Sequence, residues 1–202
     1  MVDAAQILSA YHARHEQASA KLLAACGGEF ARVAAACVAA YQAGRKILLC
    51  GNGGSAAEAQ HIAAELTVKF LTPRRHLAAI ALTTDTSAIT AAGNDFDFAE
   101  IFAVQLRALA NPGDVVLAYT TSGHSKNIVR ALAVAKELGA TTIAFCGHGG
   151  GSVEAYADYV LRAPGDLTPH IQEMHNILGH ALCIAIEDGL ALQPFAASPW
   201  SK

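Results

Sequence analysis

Apolar residues in this chain follow two patterns: short unbroken runs, and longer segments in which they recur every three or four positions. Five short runs are predicted to be strands buried on both faces: 46–50, 76–82, 114–121, 141–147 and 158–164. Seven longer segments are predicted to be helices: 3–25, 29–43, 54–70, 86–92, 96–110, 126–139 and 168–190. Strands that alternate with helices predict an α/β domain with a mainly parallel sheet.

Glycine and proline mark the ends of several of these elements. Gly27 and Gly28 are predicted to separate two N-terminal helices, and Pro73 is predicted to stop the helix that begins at residue 54. Residues 111–113, with the sequence Asn-Pro-Gly, close the helix 96–110. The proline-containing tail 194–202 is expected to be irregular.

Two polar loops follow predicted strands, at the sheet edge where α/β domains bind ligands. The loop 120–125, with the sequence TTSGHS, places four hydroxyl groups directly before a helix. Hydroxyls and the unpaired N–H groups of a helix N-terminus together suit a phosphate monoester. Ordinary capping of the helix by Ser122 or Ser125 is the simpler explanation, although capping does not need four hydroxyls.

The other loop, residues 51–55 with the sequence GNGGS, allows three interpretations. A dinucleotide fingerprint is disfavoured because its third glycine position holds Ala56, and Asp85 lies too far along to be the acidic residue it requires. A P-loop is excluded because the sequence G-x-x-x-x-G-K-[ST] is absent. A sugar-phosphate site and a plain strand-to-helix turn both stay open.

Candidate metal ligands or acid–base groups occur on two predicted helices. His61 and Glu65 are four residues apart, so their side chains share a helix face and can meet at one metal ion or one substrate atom. An isolated pair of this kind is as often a solvated helix surface. The last predicted helix carries a larger set of such residues: His170, Gln172, Glu173, His175 and His180. Within this set, Gln172 and His180 are ~12 Å apart along the helix axis. Composition alone does not choose among them.

Composition narrows the class of protein. Hydrophobic residues make up 53% and charged residues 15% of 202 residues, which excludes disorder and suggests that apolar surface is buried between subunits. A net charge of −3 gives no general reason to expect a nucleic acid or membrane partner. Five cysteines without a C-x-x-C motif do not form a disulfide framework. No signal peptide and no apolar run of ~20 residues is evident, so a cytoplasmic location is expected.

Four motifs together resemble the bacterial phosphoheptose isomerases, which are sugar-isomerase (SIS) domain proteins: CGNGGSAAEAQHIAAEL, AGNDFDFAEIF, TTSGHS and IQEMHNILGH. The resemblance implies a three-layer αβα SIS domain with a five-stranded parallel sheet, preceded by N-terminal helices. It implies one domain over 1–202, with a helical segment 1–44, a core 45–192 and a tail 193–202. It also implies a homotetramer with active sites at subunit interfaces.

The activity that the resemblance implies is the conversion of sedoheptulose 7-phosphate to D-glycero-D-manno-heptose 7-phosphate, for the synthesis of heptose precursors such as those of lipopolysaccharide. The resemblance implies one zinc ion per subunit and assigns the acid–base roles to Glu65 and His180. The implied zinc ligands are His61, Glu65, Gln172 and His180. The implied substrate-binding residues are Asn52, Gly53, Gly54, Ser55, Glu65, Asn94, Asp95, Thr120, Thr121, Ser122, Ser125 and Gln172.

Two positions depart from the family pattern, and two other functions compete with the enzyme. His124 stands where asparagine is usual, and Tyr119 stands where a small or aliphatic residue is expected. A non-catalytic relative that binds the replication initiator protein lacks the acid–base residues, whereas Glu65 and His180 are present here. A SIS module that senses a sugar phosphate usually accompanies a second domain, which 202 residues are not expected to contain.

Overall fold

The computed structural model describes residues 3–71 and 73–192. Within these residues, five parallel strands form one sheet in the order β2-β1-β3-β4-β5. The strands are β1 Ile47–Gly51, β2 Ala79–Ala81, β3 Val115–Thr120, β4 Thr141–Gly147 and β5 Tyr159–Ala163. The sheet confirms the predicted α/β class and the expectation of five parallel strands. The tail 194–202 lies outside the described residues.

Helices cover both faces of the sheet, which gives three layers. The described helices are α1 Ala4–Gln42, α2 Gly54–Thr67, α3 Thr86–Asp95, α4 Ala103–Leu109, α5 Lys126–Glu137 and α6 Thr168–Gly189, with short 3₁₀ turns at Phe98–Glu100 and Ser152–Ala155. Side chains of α1, α2 and α6 form one hydrophobic core with the sheet, and those of α3, α4 and α5 form the other.

Alternating residues of each central strand enter these two cores. In β1, Ile47 and Leu49 face the α1/α2/α6 side, and Leu48 and Cys50 face the α3/α4/α5 side; all four are fully buried. Burial on both faces explains why the central strands are unbroken apolar runs. The edge strand β2 is less buried, and its Ile80 is 39% exposed.

The N-terminal segment differs from the prediction, because α1 is one helix of 39 residues and not two. Gly27 and Gly28 lie inside it. A buried stripe runs past both glycines with helical spacing: Ala18, Leu22, Cys26, Val33, Cys37 and Tyr41. Each glycine costs a helix ~1 kcal/mol relative to alanine. Burial of this stripe outweighs that cost, so the helix continues.

The segment 96–110 also differs from the prediction of a single helix. Helix α3 extends to Asp95, a 3₁₀ turn follows, and α4 begins only at Ala103. Asp97 has an extended backbone and its side chain accepts a hydrogen bond from the Ala99 N–H at 2.7 Å. This side chain caps a new turn, and the chain therefore breaks where the apolar periodicity predicts continuity.

Helix α2 ends at Thr67, earlier than predicted, because a buried arginine occupies its C-terminus. Arg74 donates hydrogen bonds to the carbonyls of Glu65 and Leu66, which are among the last carbonyls of the helix. Its guanidinium also donates to Glu187 at 2.7 Å. Arg74 is 1% exposed, so this pair fixes α2 against α6 from inside the protein.

Helix α1 is long and apolar enough, by length and composition alone, to pass as a membrane-crossing helix, with a mean hydropathy of 1.5 over its most apolar window. Its buried stripe instead packs against β5 and α6 in the domain core. Apolar side chains on its outer surface are exposed, among them Leu8 and Leu23 at 69% and 83%. The outer surface of α1 is therefore available to a second chain.

Candidate active site

The backbone of the loop after β1, residues 51–55, lies close to α6. Gly53 adopts a φ of +55°, a left-handed conformation that glycine accepts without strain, and α2 begins at the next residue. A Cβ atom on Gly54 would lie 2.6 Å from Nε2 and 2.8 Å from Oε1 of Gln172. The glycine at position 54 therefore makes room for the Gln172 side chain.

A reciprocal amide pair joins this loop to the start of α5. Asn52 Nδ2 donates to Asn127 Oδ1 at 2.9 Å, and Asn127 Nδ2 donates to Asn52 Oδ1 at 2.8 Å. Asn127 is 2% exposed, whereas Asn52 is half-buried and borders the cavity. The two polar loops are thus one rigid unit, which sequence reasoning missed because nothing in the spacing relates residues 52 and 127.

The hydroxyl loop after β3 uses only part of its polar groups internally. Thr120 Oγ1 accepts a hydrogen bond from the Gly123 N–H at 3.2 Å, and Ser122 Oγ accepts one from the His124 N–H at 3.2 Å. Ser125 is the N-cap residue of α5, yet within the described residues its hydroxyl makes no capping hydrogen bond. The Ser125 hydroxyl is therefore not committed to the helix.

Both loops line one cavity of about 260 Å³ at the carboxyl ends of β1 and β3. Its lining residues are Asn52, Gly53, Gly54, Ser55, Tyr119, Thr120, Thr121, Ser125, Thr168 and Gln172. Among these described lining residues none carries a charge. Neutral donors and the N-terminus of α5 therefore set the polarity of the cavity, which suits an anionic group.

Four residues expected at the substrate lie outside this lining in the single chain: Glu65, Asn94, Asp95 and Ser122. Ser122 turns its hydroxyl toward the backbone of His124. Asn94 and Asp95 lie exposed at the end of α3, and Asn94 Nδ2 donates to Asp95 Oδ1 at 2.8 Å. Conversely, Thr168 and Tyr119 line the cavity although neither was among the predicted substrate-binding residues.

Apart from the cavity, α2 and α6 bring together a cluster of three side chains: His61, Glu65 and His180. The Nε2 atoms of the two histidines are 2.7 Å apart, and His61 Nδ1 lies 3.8 Å from Glu65 Oε1. One donor atom from each residue lies within 4.8 Å of the others. Two imidazoles and a carboxylate form a ligand set that suits zinc. Phe70 stacks on His180 with ring centroids 5.1 Å apart, which limits the ring's freedom.

Helices α2 and α6 run side by side, and this separates the cavity from the histidine cluster. Gly54 meets Gln172 near the start of both helices, and His61 meets His180 about two turns further along, near the middle of each. Gln172 and His180 are eight residues apart on α6, or ~12 Å along its axis. Gln172 is therefore at the cavity, about two turns from the histidine cluster of its own chain.

Buried ionisable groups lie between these two places. Asn176 donates to Glu58 Oε2 at 2.9 Å, and burial raises the pKa of Glu58. Burial lowers the pKa of His175 to about 4, and its Nε2 lies 3.2 Å from the carbonyl of Cys146. Within the described residues, Glu58 Oε1, Tyr119 OH and His175 Nδ1 have no hydrogen-bond partner. The sequence did not predict these contacts, because the segments that flank these residues are apolar.

Comparisons with known proteins identify the family of the chain. Residues 10–147 match the family model of the SIS domain. The chain is 50% identical over 175 residues to the phosphoheptose isomerase of Paramagnetospirillum magneticum, covering 87% of this chain and 91% of that relative. It is 54% identical over 156 residues to the phosphoheptose isomerase of Aquifex aeolicus, covering 77% and 82%.

Solved structures give the same result. The chain superposes on the phosphoheptose isomerase of Neisseria gonorrhoeae with a TM-score of 0.87 at 39% identity, covering 92% of this chain and 100% of that one. The phosphoheptose isomerase of Francisella tularensis gives a TM-score of 0.87 at 39% identity, with coverage of 93% and 100%.

Proposed function

The chain belongs to the phosphoheptose isomerases of the SIS domain family, and we propose that its uncharged cavity and its histidine–carboxylate cluster together form the active site. The reaction is the aldose–ketose interconversion of sedoheptulose 7-phosphate and D-glycero-D-manno-heptose 7-phosphate. The observation that supports this site best is that one domain contains both an uncharged cavity suited to a phosphate group and a cluster of imidazole and carboxylate side chains. A non-catalytic role is not favoured, because Glu65 and His180 are in contact with a common partner, His61.

The phosphate binds in the cavity through neutral groups. The hydroxyls of Thr120, Thr121 and Ser125 and the first N–H groups of α5 converge where the loop meets the helix. Hydrogen bonds to a charged group contribute ~1.5–3 kcal/mol each. Several of them, with the helix dipole, hold a dianion without a basic side chain. Asn52, Gly53, Gly54 and Ser55 border the sugar from the opposite loop.

The proton transfer between C1 and C2 requires a base beside that edge of the open-chain sugar. Glu65 is the carboxylate of the cluster, and we assign it this role. His180 serves as the acid–base group that opens the sugar ring and protonates oxygen. Positioned groups of this kind contribute ~10²–10⁴-fold each. Asn94 and Asp95 complete the substrate contacts.

The ~12 Å between Gln172 and His180 along α6 suggests that the active site is assembled from more than one subunit. A cavity and a cluster two helix turns apart serve one substrate most directly if they belong to different subunits. We therefore propose a homotetramer, in which Gln172 of one chain reaches the cluster of another, and Asn94 and Asp95 act in the same shared site. The exposed apolar surface of α1 supports burial between chains.

Mixing two impaired variants tests the shared site. Glu65→Gln keeps an intact Gln172, and Gln172→Ala keeps an intact Glu65. If the site is shared, mixed oligomers formed by co-expression recover activity, because some sites combine the two intact residues. If each site lies within one chain, the mixture is no more active than the average of the two variants, and the shared arrangement is wrong.

One zinc ion per subunit is part of this proposal. His61, Glu65 and His180 would hold the ion, with Gln172 as a fourth ligand from a neighbouring chain, and an ion there supplies Lewis-acid polarisation of the sugar oxygens. Gln is a neutral and weak ligand, so this site is expected to lose its metal readily. Glu65 has two oxygens, and one can handle the proton while the other faces the histidines.

We further propose that residues 1–202 act as a single SIS domain in the cytoplasm. All five cysteines are free and buried, which suits a reducing compartment. The activity is tested by incubating the purified protein with sedoheptulose 7-phosphate and following the aldose product by NMR, with and without added zinc. Formation of the heptose 7-phosphate supports the proposal, and absence of conversion under both conditions rejects it.

A further inference from the structure

A second group of metal-ligating side chains lies between α1 and α6. His15 Nδ1 is 2.7 Å from Glu173 Oε2, and His170 Nδ1 is 3.0 Å from the same oxygen. One donor atom from each of the three residues lies within 4.8 Å of the others. Glu173 and His180 are seven residues apart on α6, or ~10 Å along the axis, so this group is separate from the His61–Glu65–His180 cluster.

The surroundings of this group hold its members in place. The Tyr11 hydroxyl donates a hydrogen bond to Glu173 Oε1, the other carboxylate oxygen. The Tyr11 ring also packs on His170 with ring centroids 4.3 Å apart. His170 is 2% exposed, whereas the His15 and Glu173 side chains are 32% and 30% exposed. The group therefore has one buried, fixed ligand and two ligands that an ion can reach from solvent.

We propose that His15, His170 and Glu173 bind a divalent transition-metal ion of the zinc class. Two imidazole nitrogens and one carboxylate oxygen, with an open side toward solvent, are a three-ligand set that zinc accepts. At metal–ligand distances of ~2.0–2.2 Å, tetrahedral geometry separates the donor atoms by ~3.3–3.6 Å. The present separations of 2.7 and 3.0 Å therefore need to widen by less than about 1 Å.

The second nitrogen of His170 is compatible with this arrangement. Its Nε2 is buried and, within the described residues, has no hydrogen-bond partner. A cavity of about 50 Å³ borders His170 and is also lined by Arg14, Gln17 and Asp166. This cavity has room for a water molecule, which can accept the Nε2–H when Nδ1 binds the ion.

An ion at this position would connect two segments that otherwise share few buried groups. Residues 3–14 of α1 are exposed, and the buried stripe of this helix begins only at Ala18. His15 and Tyr11 are thus the anchors of the first turns of α1 on α6. Glu173 directly follows Gln172, which lines the substrate cavity. The ion would stabilise the start of α6 and, with it, one wall of that cavity.

Zinc stoichiometry tests this inference independently of the catalytic assignment. The chelator-stripped full-length protein is titrated with zinc sulfate, and bound zinc per subunit is measured together with the melting temperature. Wild type is expected to bind one zinc more than His15→Ala, and the His61→Ala variant is expected to keep the ion held by His15. Zinc is expected to raise the melting temperature of His61→Ala but not that of His15→Ala/His61→Ala.

Two further variants sharpen the result. His12→Ala removes an exposed histidine one turn earlier on α1, outside the group, and is expected to bind as much zinc as wild type. Tyr11→Phe keeps all three ligands but removes a hydrogen bond to Glu173, and is expected to weaken this ion's binding ~10–100-fold at unchanged stoichiometry. The inference is wrong if His15→Ala binds as much zinc as wild type, or if His61→Ala binds none.

Discussion

Substitution of Gly54 by alanine tests how closely α2 and α6 must approach for the cavity to form. The added Cβ would lie 2.6 Å from Gln172 Nε2, whereas ordinary contacts of a Cβ atom begin near 3.4 Å. The Gln172 side chain must therefore move by about 0.8 Å or more. A displacement of ~1 Å in a positioned group can cost ~10²-fold in rate. We expect Gly54→Ala to lower kcat/KM for the sugar phosphate by about that factor.

Gly28→Ala is the matched control, because within the described residues an added Cβ there has no neighbour within 4 Å. It should leave kcat/KM unchanged and raise the free energy of unfolding by ~1 kcal/mol, the helix propensity difference between alanine and glycine. In a Gln172→Ala background the clash partner is gone, so adding Gly54→Ala should cost little further activity. Normal kinetics for Gly54→Ala, or fully additive losses in the double variant, would refute the reasoning.

Three other predictions follow from single contacts. Ser125→Ala should raise KM for the phosphorylated sugar ~10-fold or more, and Ser122→Ala should raise it less, because only Ser125 lines the cavity; steady-state kinetics compare the two. Arg74→Met should lower the free energy of unfolding in urea by ~3–5 kcal/mol, since it leaves the largely buried Glu187 carboxylate without its cation, and an unchanged urea midpoint would contradict this. Burial lowers the pKa of His175 to about 4 in the folded chain, from its ordinary value of 6.5. Between pH 4 and pH 6.5, His175 therefore binds a proton more readily in the unfolded chain than in the folded one. Stability should therefore fall as pH drops from 6.5 toward 4, by up to ~1.4 kcal/mol per pH unit, and His175→Gln should flatten this slope in urea titrations.

The sequence predicts those parts of the fold whose residues are governed by local pattern. β3 and β4 are buried on both faces, so their apolar runs are unbroken and both strands lie where they were predicted. The prediction of two N-terminal helices was wrong because the burial of an apolar stripe in the core outweighs the low helix propensity of Gly27 and Gly28. The prediction of one helix over 96–110 was wrong because the Asp97 side chain caps a short turn inside the apolar pattern.

The candidate site shows the same division. The i, i+4 spacing of His61 and Glu65 predicts a shared face, and the two side chains do lie together. The partnership of His61 with His180 depends on how α2 packs along α6, and no local pattern encodes it. The same holds for Asn127, whose amide pair with Asn52 joins two loops 75 positions apart. Contacts of this kind are set by tertiary packing. The family resemblance predicted the first of them as shared zinc ligands, whereas only the folded chain reveals the second.

The most direct test of the central claim is turnover of sedoheptulose 7-phosphate in deuterated water by wild type, Glu65→Gln and His180→Gln, followed by NMR. If Glu65 removes the proton from C1 and the resulting carboxylic acid exchanges with solvent before it protonates C2, wild type forms aldose with deuterium at C2. Glu65→Gln then loses at least ~10²-fold in kcat while it still binds the sugar phosphate. An aldose without deuterium together with near-normal turnover by Glu65→Gln would contradict the account.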